Sequence, residues 1–485
     1  MRLALQACLS IIEPLFPSNR SIVKYISTRG KAPTLNFEEV TLAGLARDGG
    51  LYVPESWPQF SVQEIRDMRG LSYPELVVAV LRPIIGDSVD EPTLQQMAQR
   101  AYANFSHSAI APIKQLDTNL YFMELFQGPT LAFKDFALQF LGQLFEHFLH
   151  KRGEHCTIVG ATSGDTGSAA IEAVRGIKGV ELFMLHPDGR VSSVQRKQMT
   201  YVEDANIHNI AIEGHFDDCQ NLVKAMFNDN GFRDEMNLSA VNSINWARIA
   251  AQVVYYFRAA LSLGGPDRAI SVSVPTGNFG NIFAAYVAKQ MGLPIAQFII
   301  GSNRNDILTR FIESGSMSQR QVEASLSPSM DIQISSNFER YLFEASGRDA
   351  AAIAELMERF KRDGSFTVDP DLFSRIKGEF SAYRLDDAQT RSEIARVYRE
   401  TGEIVDPHSV IGIAAARACS SDPSVPVVCM GTADPAKFAE AVEPAIGVPV
   451  PFPSRLEKVL EAKEHFDVLD NDLAGLQAYI WEKVS

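Results

Sequence analysis

Apolar residues in the first hundred positions recur at helical spacing. "LSYPELVVAVLRPIIG" (71–86) and "DEPTLQQMAQRAYANF" (90–105) read as amphipathic helices, the second opened by an acidic residue and a proline. "TLNFEEVTLAGLARDGGLYVPESWP" (34–58) predicts a helix stopped at Gly-Gly, then a short extended piece. Beyond residue 155 the pattern changes. "CTIVG-ATSGDTG-SAAIEAVRG" (156–176), "LFML-HPDGRVS-SVQRKQMTYV" (182–202), "ISVSVP-TGNFGN-IFAAYVAKQMG" (270–292) and "VPVVCM-GTADP-AKFAEAV" (425–442) each give an apolar strand, a polar or glycine-rich turn, and a helix. Repeated strand–turn–helix units predict an α/β fold with a largely parallel sheet, and ligands in such sheets bind outside the carboxyl ends of the strands.

These patterns divide the chain. Residues 1–22 read as a poorly ordered extension: the apolar run beside Arg2 is interrupted by Glu13 and Pro14, and no signal-peptide cleavage pattern follows. Residues 23–115 read as a mostly helical N-terminal domain. Residues 116–235 form a smaller α/β domain, and residues 236–450 a larger one with a mainly helical insert at about 330–403. Residues 451–485 are a proline-rich, then helical, tail. No stretch is long and apolar enough to predict a membrane span.

Composition narrows the chemistry. A formal net charge of −14 argues against a nucleic-acid binder, which needs cations for phosphate. The five cysteines (Cys8, Cys156, Cys219, Cys419 and Cys429) are scattered, which predicts neither a disulfide framework nor a zinc site. His147 and His150 alone do not make a metal site, and no metal is expected. A reducing cytoplasm is the expected compartment, and a monomer or weak dimer the expected state.

Three strand–helix turns carry the candidate chemistry. In "PTGNFGN", Gly277 and Gly280 permit close backbone approach, and the next helix offers free N–H groups at the positive end of its dipole. The loop fits a phosphate; it fits a merely glycine-rich turn as well. "ATSGDTGSAA" repeats the design with Ser163, Gly164, Asp165 and Thr166 beside a helix start. A carboxylate would fit there, although Asp165 is out of place in an anion site and N-capping accounts for part of the run. Thr432 in "MGTADP" ends a third strand and offers one hydroxyl.

Lys134, in "GPTLAFKDFA" (128–137), heads an apolar-rich helical segment. A surface lysine at a helix start is the plain reading. The other is a reactive amine: a helix N-terminus disfavours a cation, and Phe133 and Phe136 could desolvate it. A neutral lysine beside a phosphate cradle points to pyridoxal 5'-phosphate, whose aldehyde condenses with amines. Asp135 opposes the shift if it faces the same way.

Taken together, "YISTRG" (25–30), "DGGLYVP" (48–54), "GPTLAFKDFALQFLG" (128–142), "ATSGDTGSAA" (161–170), "NSINWARI" (242–249), "VPTGNFGN" (274–281), "SSNFER" (335–340) and "GTADPAKF" (431–438) resemble the threonine synthase family, in its longer bacterial and fungal subgroup. The resemblance runs from Val23 to the tail. It implies the fold type II pyridoxal-phosphate architecture, like tryptophan synthase β, with an added helical N-terminal domain. It implies Lys134 as the Schiff-base lysine, Gly277, Asn278, Phe279, Gly280 and Asn281 around the cofactor phosphate, and Thr432 at the pyridine nitrogen. It implies Ser163, Gly164, Asp165 and Thr166 at the substrate carboxylate. The reaction implied turns O-phospho-L-homoserine and water into L-threonine and phosphate. Arg248 is the favoured cation for the substrate phosphate, with Arg29, Arg196 and Lys197 as alternatives. The competing readings are another pyridoxal-phosphate lyase, such as a dehydratase or a threonine-synthase-like phospholyase, and a non-catalytic phosphate- or nucleotide-binding α/β protein.

Overall fold

Two sheets organise the chain, a computed structural model of which describes residues 22–162 and 164–484. The five-stranded sheet runs Asp467–Leu469, Ile207–Ile212, Val180–Pro187, Cys156–Ala161, Leu238–Ser239, with every neighbouring pair parallel. The six-stranded sheet runs Phe380–Arg384, Ile295–Ser302, Ile270–Pro275, Val427–Gly431, Leu120–Glu124, Ile113–Asp117. It is parallel except for the hairpin made by its last two strands. Central strands such as Ile270–Pro275 are buried along their whole length, as expected where helices cover both faces.

The four strand–turn–helix units fall where the pattern placed them. Their helices begin at Asp165, Ser193, Gly280 and, after a short turn of 3-10 helix at Pro435–Phe438, Ala439. Strand pairing nevertheless joins segments that the sequence boundaries set apart. Leu120–Glu124 precedes Lys134 but pairs with Val427–Gly431. Leu238–Ser239 pairs with Cys156–Ala161, and Asp467–Leu469 of the tail pairs with Ile207–Ile212. The 330–403 region is helical at Phe338–Ala345, Ala350–Asp363, Pro370–Glu379 and Asp387–Thr401, yet it also supplies the edge strand Phe380–Arg384 of the larger sheet. Leu238–Ser239, Asp467–Leu469 and Phe380–Arg384 lie at sheet edges, so they lack the apolar run that marks a central strand.

The N-terminal region packs as helices Phe37–Ala43, Val62–Asp67, Tyr73–Ile85 and Glu91–Tyr102, with the strand pair Tyr25–Ser27 and Tyr52–Pro54. Capping boxes at Asn36, Ser61 and Ser72 start three of these helices. The first stops at Gly44 instead of at Gly49-Gly50. Gly44 has φ +66°, and a Cβ there would lie 3.2 Å from the Ala240 carbonyl oxygen. The Gly49-Gly50 pair belongs to a turn in which Asp48 accepts from the N–H groups of Lys31, Ala32 and Gly50. The extension expected over 1–22 lies, apart from Ile22, outside the described residues.

One helix, Trp246–Ser262, is buried on nearly every face. It packs against Tyr73–Ile85, Lys134–Arg152 and Gly280–Gln290, so it ties the N-terminal region to the lysine helix and to the glycine-rich loop. A second tie is electrostatic. Glu339 accepts from the Thr28 hydroxyl at 2.7 Å and from Arg29 at 3.0 and 2.8 Å. Among the described residues no helix is long and apolar enough to cross a membrane.

Glu339→Ala strands the Thr28 hydroxyl and the Arg29 guanidinium in a half-buried seam. The expected loss is about 1–3 kcal/mol of unfolding free energy, read by urea denaturation.

Candidate active site

Lys134 is the first residue of the helix Lys134–Arg152, and Phe133 before it provides no side-chain cap. The lysine thus starts from the positive end of the helix dipole, which disfavours an ammonium. The side chain is buried, with Nζ 3.3 Å from Asp165 Oδ2, 3.5 Å from Ser329 Oγ and 5.1 Å from the Phe133 ring centre. Burial pulls its pKa below the ordinary lysine value. Asp165 resists that pull, while Lys437 and Arg248 add to it. The reactive-amine reading of Lys134 thus has a physical basis.

Asp135 does not face Lys134. It turns back to the Gly128–Thr130 turn, where it accepts from the Thr130 N–H at 2.9 Å and the Thr130 hydroxyl at 2.7 Å. A Cβ at Gly128 would lie 2.4 Å from the Asp135 side chain, so only glycine fits there. Burial raises the Asp135 carboxyl from 3.8 to about 6, against the Thr130 bonds and Lys437.

Asp165 opens the helix Asp165–Val174 with both oxygens engaged. Oδ1 accepts from Lys437 Nζ at 2.8 Å and Gln195 Nε2 at 2.8 Å, and Oδ2 faces Lys134. Burial alone would raise this carboxyl, but Lys437 and Lys134 override it and hold it well below the usual range. Gly164 has φ +141°, and a Cβ there would strike Gln195 at 2.5 Å. Thr162 Oγ1 ties the turn by accepting from the N–H groups of Gly164 and Gly167. Among the described residues the N–H groups of Asp165 and Thr166 have no acceptor, so they remain as donors for an anion. Ser163 lies outside the described residues.

The "PTGNFGN" loop leaves the strand Ile270–Pro275 and enters the helix Gly280–Gln290 through Phe279 at φ 64°. The Phe279 ring is buried against Phe338 at 5.0 Å, which anchors this left-handed residue. The carbonyl side of the loop is fully engaged: Gly277 O accepts from Ser335 Oγ, and Asn278 O accepts from the N–H and side-chain amide of Asn337. The donor side is open. Among the described residues the N–H groups of Gly277, Asn278, Phe279 and Gly280 meet no acceptor. Asn281 Oδ1 accepts from the Tyr255 and Tyr256 hydroxyls, leaving its Nδ2 buried without a partner. Donors gathered at a helix start, with acceptors tied off behind, are what a phosphate needs. The loop also borders Lys134. Ser329 Oγ is in reach of Nζ, and the Ser329 carbonyl lies 3.1 Å from where a Gly277 Cβ would stand.

Thr432 follows the strand Val427–Gly431 and is linked to the residue before the lysine. Its carbonyl accepts from the Phe133 N–H at 2.9 Å, and its N–H donates to Ser409 Oγ at 2.8 Å. Among the described residues its hydroxyl makes no hydrogen bond.

Of the four cations read from sequence, three are committed elsewhere. Arg29 pairs with Glu339, Arg196 with Glu464, and Lys197 donates to the Leu460 carbonyl. Arg248, the buried one of the four, has no ion-pair partner among the described residues. It donates to the Val241 carbonyl at 2.8 Å and leaves Nε unpartnered. Burial brings its guanidinium down to about 10. A buried cation in this state is a receptor for an anion.

The family of this chain follows from comparison with known proteins. The family model "Threonine synthase N terminus" matches residues 24–102, "Pyridoxal-phosphate dependent enzyme" matches 107–431, and "Threonine synthase, C-terminal" matches 409–480. The chain belongs to the threonine synthase family. It is 54% identical to threonine synthase of Pseudomonas aeruginosa, over 94% of this chain and 98% of that protein. Its fold is similar to that of a PLP-bound threonine synthase from Brucella melitensis, with a TM-score of 0.93, 53% identity, and coverage of 95% of this chain and 99% of that one. It is also 36% identical to threonine synthase-like 2 of Homo sapiens, over 86% of this chain and 88% of that protein. The fold type II pyridoxal-phosphate architecture expected from the motifs is therefore the architecture observed.

Within this threonine synthase fold, reasoning from sequence passed over several residues that touch the site. Lys437, from "ADPAKF", is fully buried between Asp165 Oδ1 and the Thr130 carbonyl, at 2.8 Å from each. Gln195 holds Asp165, and Ser329 faces Lys134 from the short 3-10 helix Pro328–Met330. His408 accepts the Ser329 N–H on Nε2 at 3.3 Å and faces Asp406 through Nδ1 at 2.8 Å. A lysine three residues beyond an aspartate and a proline gives no periodic signal. Only its burial shows that it is not on the surface.

Asp135 gives a pH-dependent prediction. In the folded chain its carboxyl keeps its proton up to about pH 6, while the unfolded chain loses it near 3.8. Folding therefore binds a proton between these values, and stability falls as pH rises through that window. Asp135→Asn lacks this slope. Urea unfolding should show the variant gaining on wild type between pH 4 and pH 7, by about 3 kcal/mol at most.

Proposed function

We infer that the chain converts O-phospho-L-homoserine and water to L-threonine and phosphate, with pyridoxal 5'-phosphate carried on Lys134. The observation that carries this reading is a buried lysine with a depressed pKa, next to a loop whose N–H groups lack acceptors. The residues present fit the cofactor. The N–H groups of Gly277, Asn278, Phe279 and Gly280, with Asn281 Nδ2, would hold its phosphate. The unbonded Thr432 hydroxyl would meet the ring nitrogen, and a hydroxyl, unlike a carboxylate, would leave that nitrogen unprotonated. When bound, the cofactor supplies an aldehyde that condenses with amines and a ring that delocalises the electron pair left by a departing proton.

The chain's own groups do the rest. The N–H groups of Asp165 and Thr166, with the hydroxyls of Ser163 and Thr166, would orient the substrate carboxylate at a helix start, on the turn that Gly164 shapes. Arg248, a buried guanidinium without a counter-ion, takes an anionic oxygen of the substrate phosphate. With substrate bound, the Lys134 amine is the base. It takes the proton from Cα, must give that proton up before it takes the next from Cβ, and returns one proton to Cγ, from which phosphate leaves, and one to Cα; water adds its hydroxyl at Cβ and its proton goes to the departing phosphate. A mobile base must be able to pick up and release a proton near neutral pH, which a lysine with a depressed pKa can do. The reading extends to a cytoplasmic monomer or weak dimer acting on a small molecule, and the acidic balance of the chain speaks against nucleic acid as a partner.

Wild-type chain loaded with pyridoxal 5'-phosphate and reduced with borohydride should carry the cofactor on the Lys134 peptide. Lys134→Ala should carry none after reduction and should lose roughly a thousandfold or more of its threonine formation. Label on another lysine would overturn the assignment. Formation of 2-oxobutyrate without threonine would move the chain to the phospholyase side of its relatives.

A further inference from the structure

Two buried lysines share one carboxylate. Lys437 Nζ lies 2.8 Å from Asp165 Oδ1 and 2.8 Å from the Thr130 carbonyl. Lys134 Nζ lies 3.3 Å from Asp165 Oδ2 and 3.5 Å from Ser329 Oγ. An ammonium has three N–H groups that must be satisfied in a dry site. Lys437 finds two short, strong acceptors, whereas Lys134 finds two contacts at the long limit. One carboxylate cannot balance two neighbouring ammonium groups, because the second charge meets the repulsion of the first. We propose that Lys437 is a positioning residue for Lys134: it holds the Asp165 carboxylate as its own counter-ion and leaves Lys134 as the free amine that the reaction needs.

The groups facing Lys134 come from several elements, and one anion stands against two cations. Asp165, on the helix Asp165–Val174, is the anion that would keep Lys134 protonated. Its Oδ1 is taken by Lys437 and by Gln195 of the helix Ser193–Thr200. Arg248, on the helix Trp246–Ser262, adds a second positive charge. His408, on the helix Pro407–Cys419, faces Lys134 only across the Ser329 turn, and its Nε2 accepts from the Ser329 N–H. Asp135, on the lysine's own helix, is directed to Thr130. Thr130 closes the arrangement: its N–H and hydroxyl hold Asp135 while its carbonyl holds Lys437. Asp165, read from sequence as part of a carboxylate-binding loop, is thus the shared counter-ion that both lysines face, with no oxygen left to meet a second anion.

The proposal rests on Lys134 being the amine that takes up the cofactor, and the test separates the two ideas. Capture of pyridoxal 5'-phosphate requires the neutral amine: its nitrogen attacks the aldehyde carbon, and water leaves. The pH midpoint of the capture rate in the full chain therefore reports the Lys134 proton. The rate is followed by absorbance after mixing with pyridoxal 5'-phosphate. Lys437→Met should raise the midpoint and slow capture at pH 7.5, by about tenfold for each pH unit that the midpoint rises. Asp165→Asn should lower it, since Lys437 then repels Lys134 without an intervening anion. Lys437→Arg should keep the wild-type midpoint. Packing damage alone would not move two neighbouring variants in opposite directions.

If Lys437→Met does not fold, the Asp165→Asn and Lys437→Arg profiles still decide. The proposal is overturned if Asp165→Asn leaves the midpoint unchanged or raises it, or if folded Lys437→Met leaves it unchanged. Capture that persists in Lys134→Ala would instead remove the assignment of Lys134, whatever Lys437 does.

Discussion

A buried lysine whose pKa is pulled down by its surroundings is the constraint on which this site depends. Burial alone favours the neutral amine, but a dry site also strengthens any nearby anion, and Asp165 is 3.3 Å away. The balance is set by cations around that anion. Lys437 lies closer to Asp165 than Lys134 does, and Arg248 adds charge without a carboxylate of its own. The helix start at Lys134 works in the same direction, because the positive end of the dipole disfavours an ammonium. The lowered pKa is a property of the charge cluster and not of the lysine in isolation.

The fold brings this cluster together by placing strand ends side by side. The turns after Cys156–Ala161, Ile270–Pro275 and Val427–Gly431 carry the Asp165, Gly277–Asn281 and Thr432–Lys437 segments. The first strand belongs to one sheet and the other two to its neighbour. Lys134 itself enters between Leu120–Glu124, which pairs with Val427–Gly431, and a helix that packs on Asp165–Val174. The charge cluster is therefore assembled from both sheets, which explains why the Gly128–Thr130 turn is so tightly specified.

The glycine-rich loop is held from behind by a buried chain of polar groups. Arg340 is fully buried, with its guanidinium brought down to about 9 by desolvation. It donates to the carbonyl oxygens of Tyr52 and Ile244 and to Asn337, which in turn donates to the Asn278 carbonyl. Next to it, Glu339 clasps Thr28 and Arg29. The N-terminal region thus reaches the loop through one short segment, "SSNFER". Carbonyl groups tied in this way leave the N–H groups pointing at the open side of the loop.

Short-range features were legible in the sequence because they are local. The strand–turn–helix rhythm, the helix-start lysine between Phe133 and Phe136, and the glycines of "PTGNFGN" each depend on neighbours within a few residues, and the structure places those elements where the pattern did. The motif set resembled the family that the comparisons show. Other features depend on partners far along the chain. Leu120–Glu124 and Phe380–Arg384 are strands of the larger sheet only because Val427–Gly431 and Ile295–Ser302 lie beside them. Asp135 and Asp165 have the same side-chain chemistry and both lie in the first turn of a helix, yet one is turned to Thr130 and raised while the other is shared by two lysines and lowered. Lys437 is 303 residues from Lys134 in sequence and meets it only through Asp165. Sequence by itself determined the fold class, the helix that Lys134 heads and the glycine-rich turn, because backbone propensity acts over short distances. Tertiary structure alone decided which charges face one another, because Coulomb energy in a dry site depends on distances that no local pattern encodes.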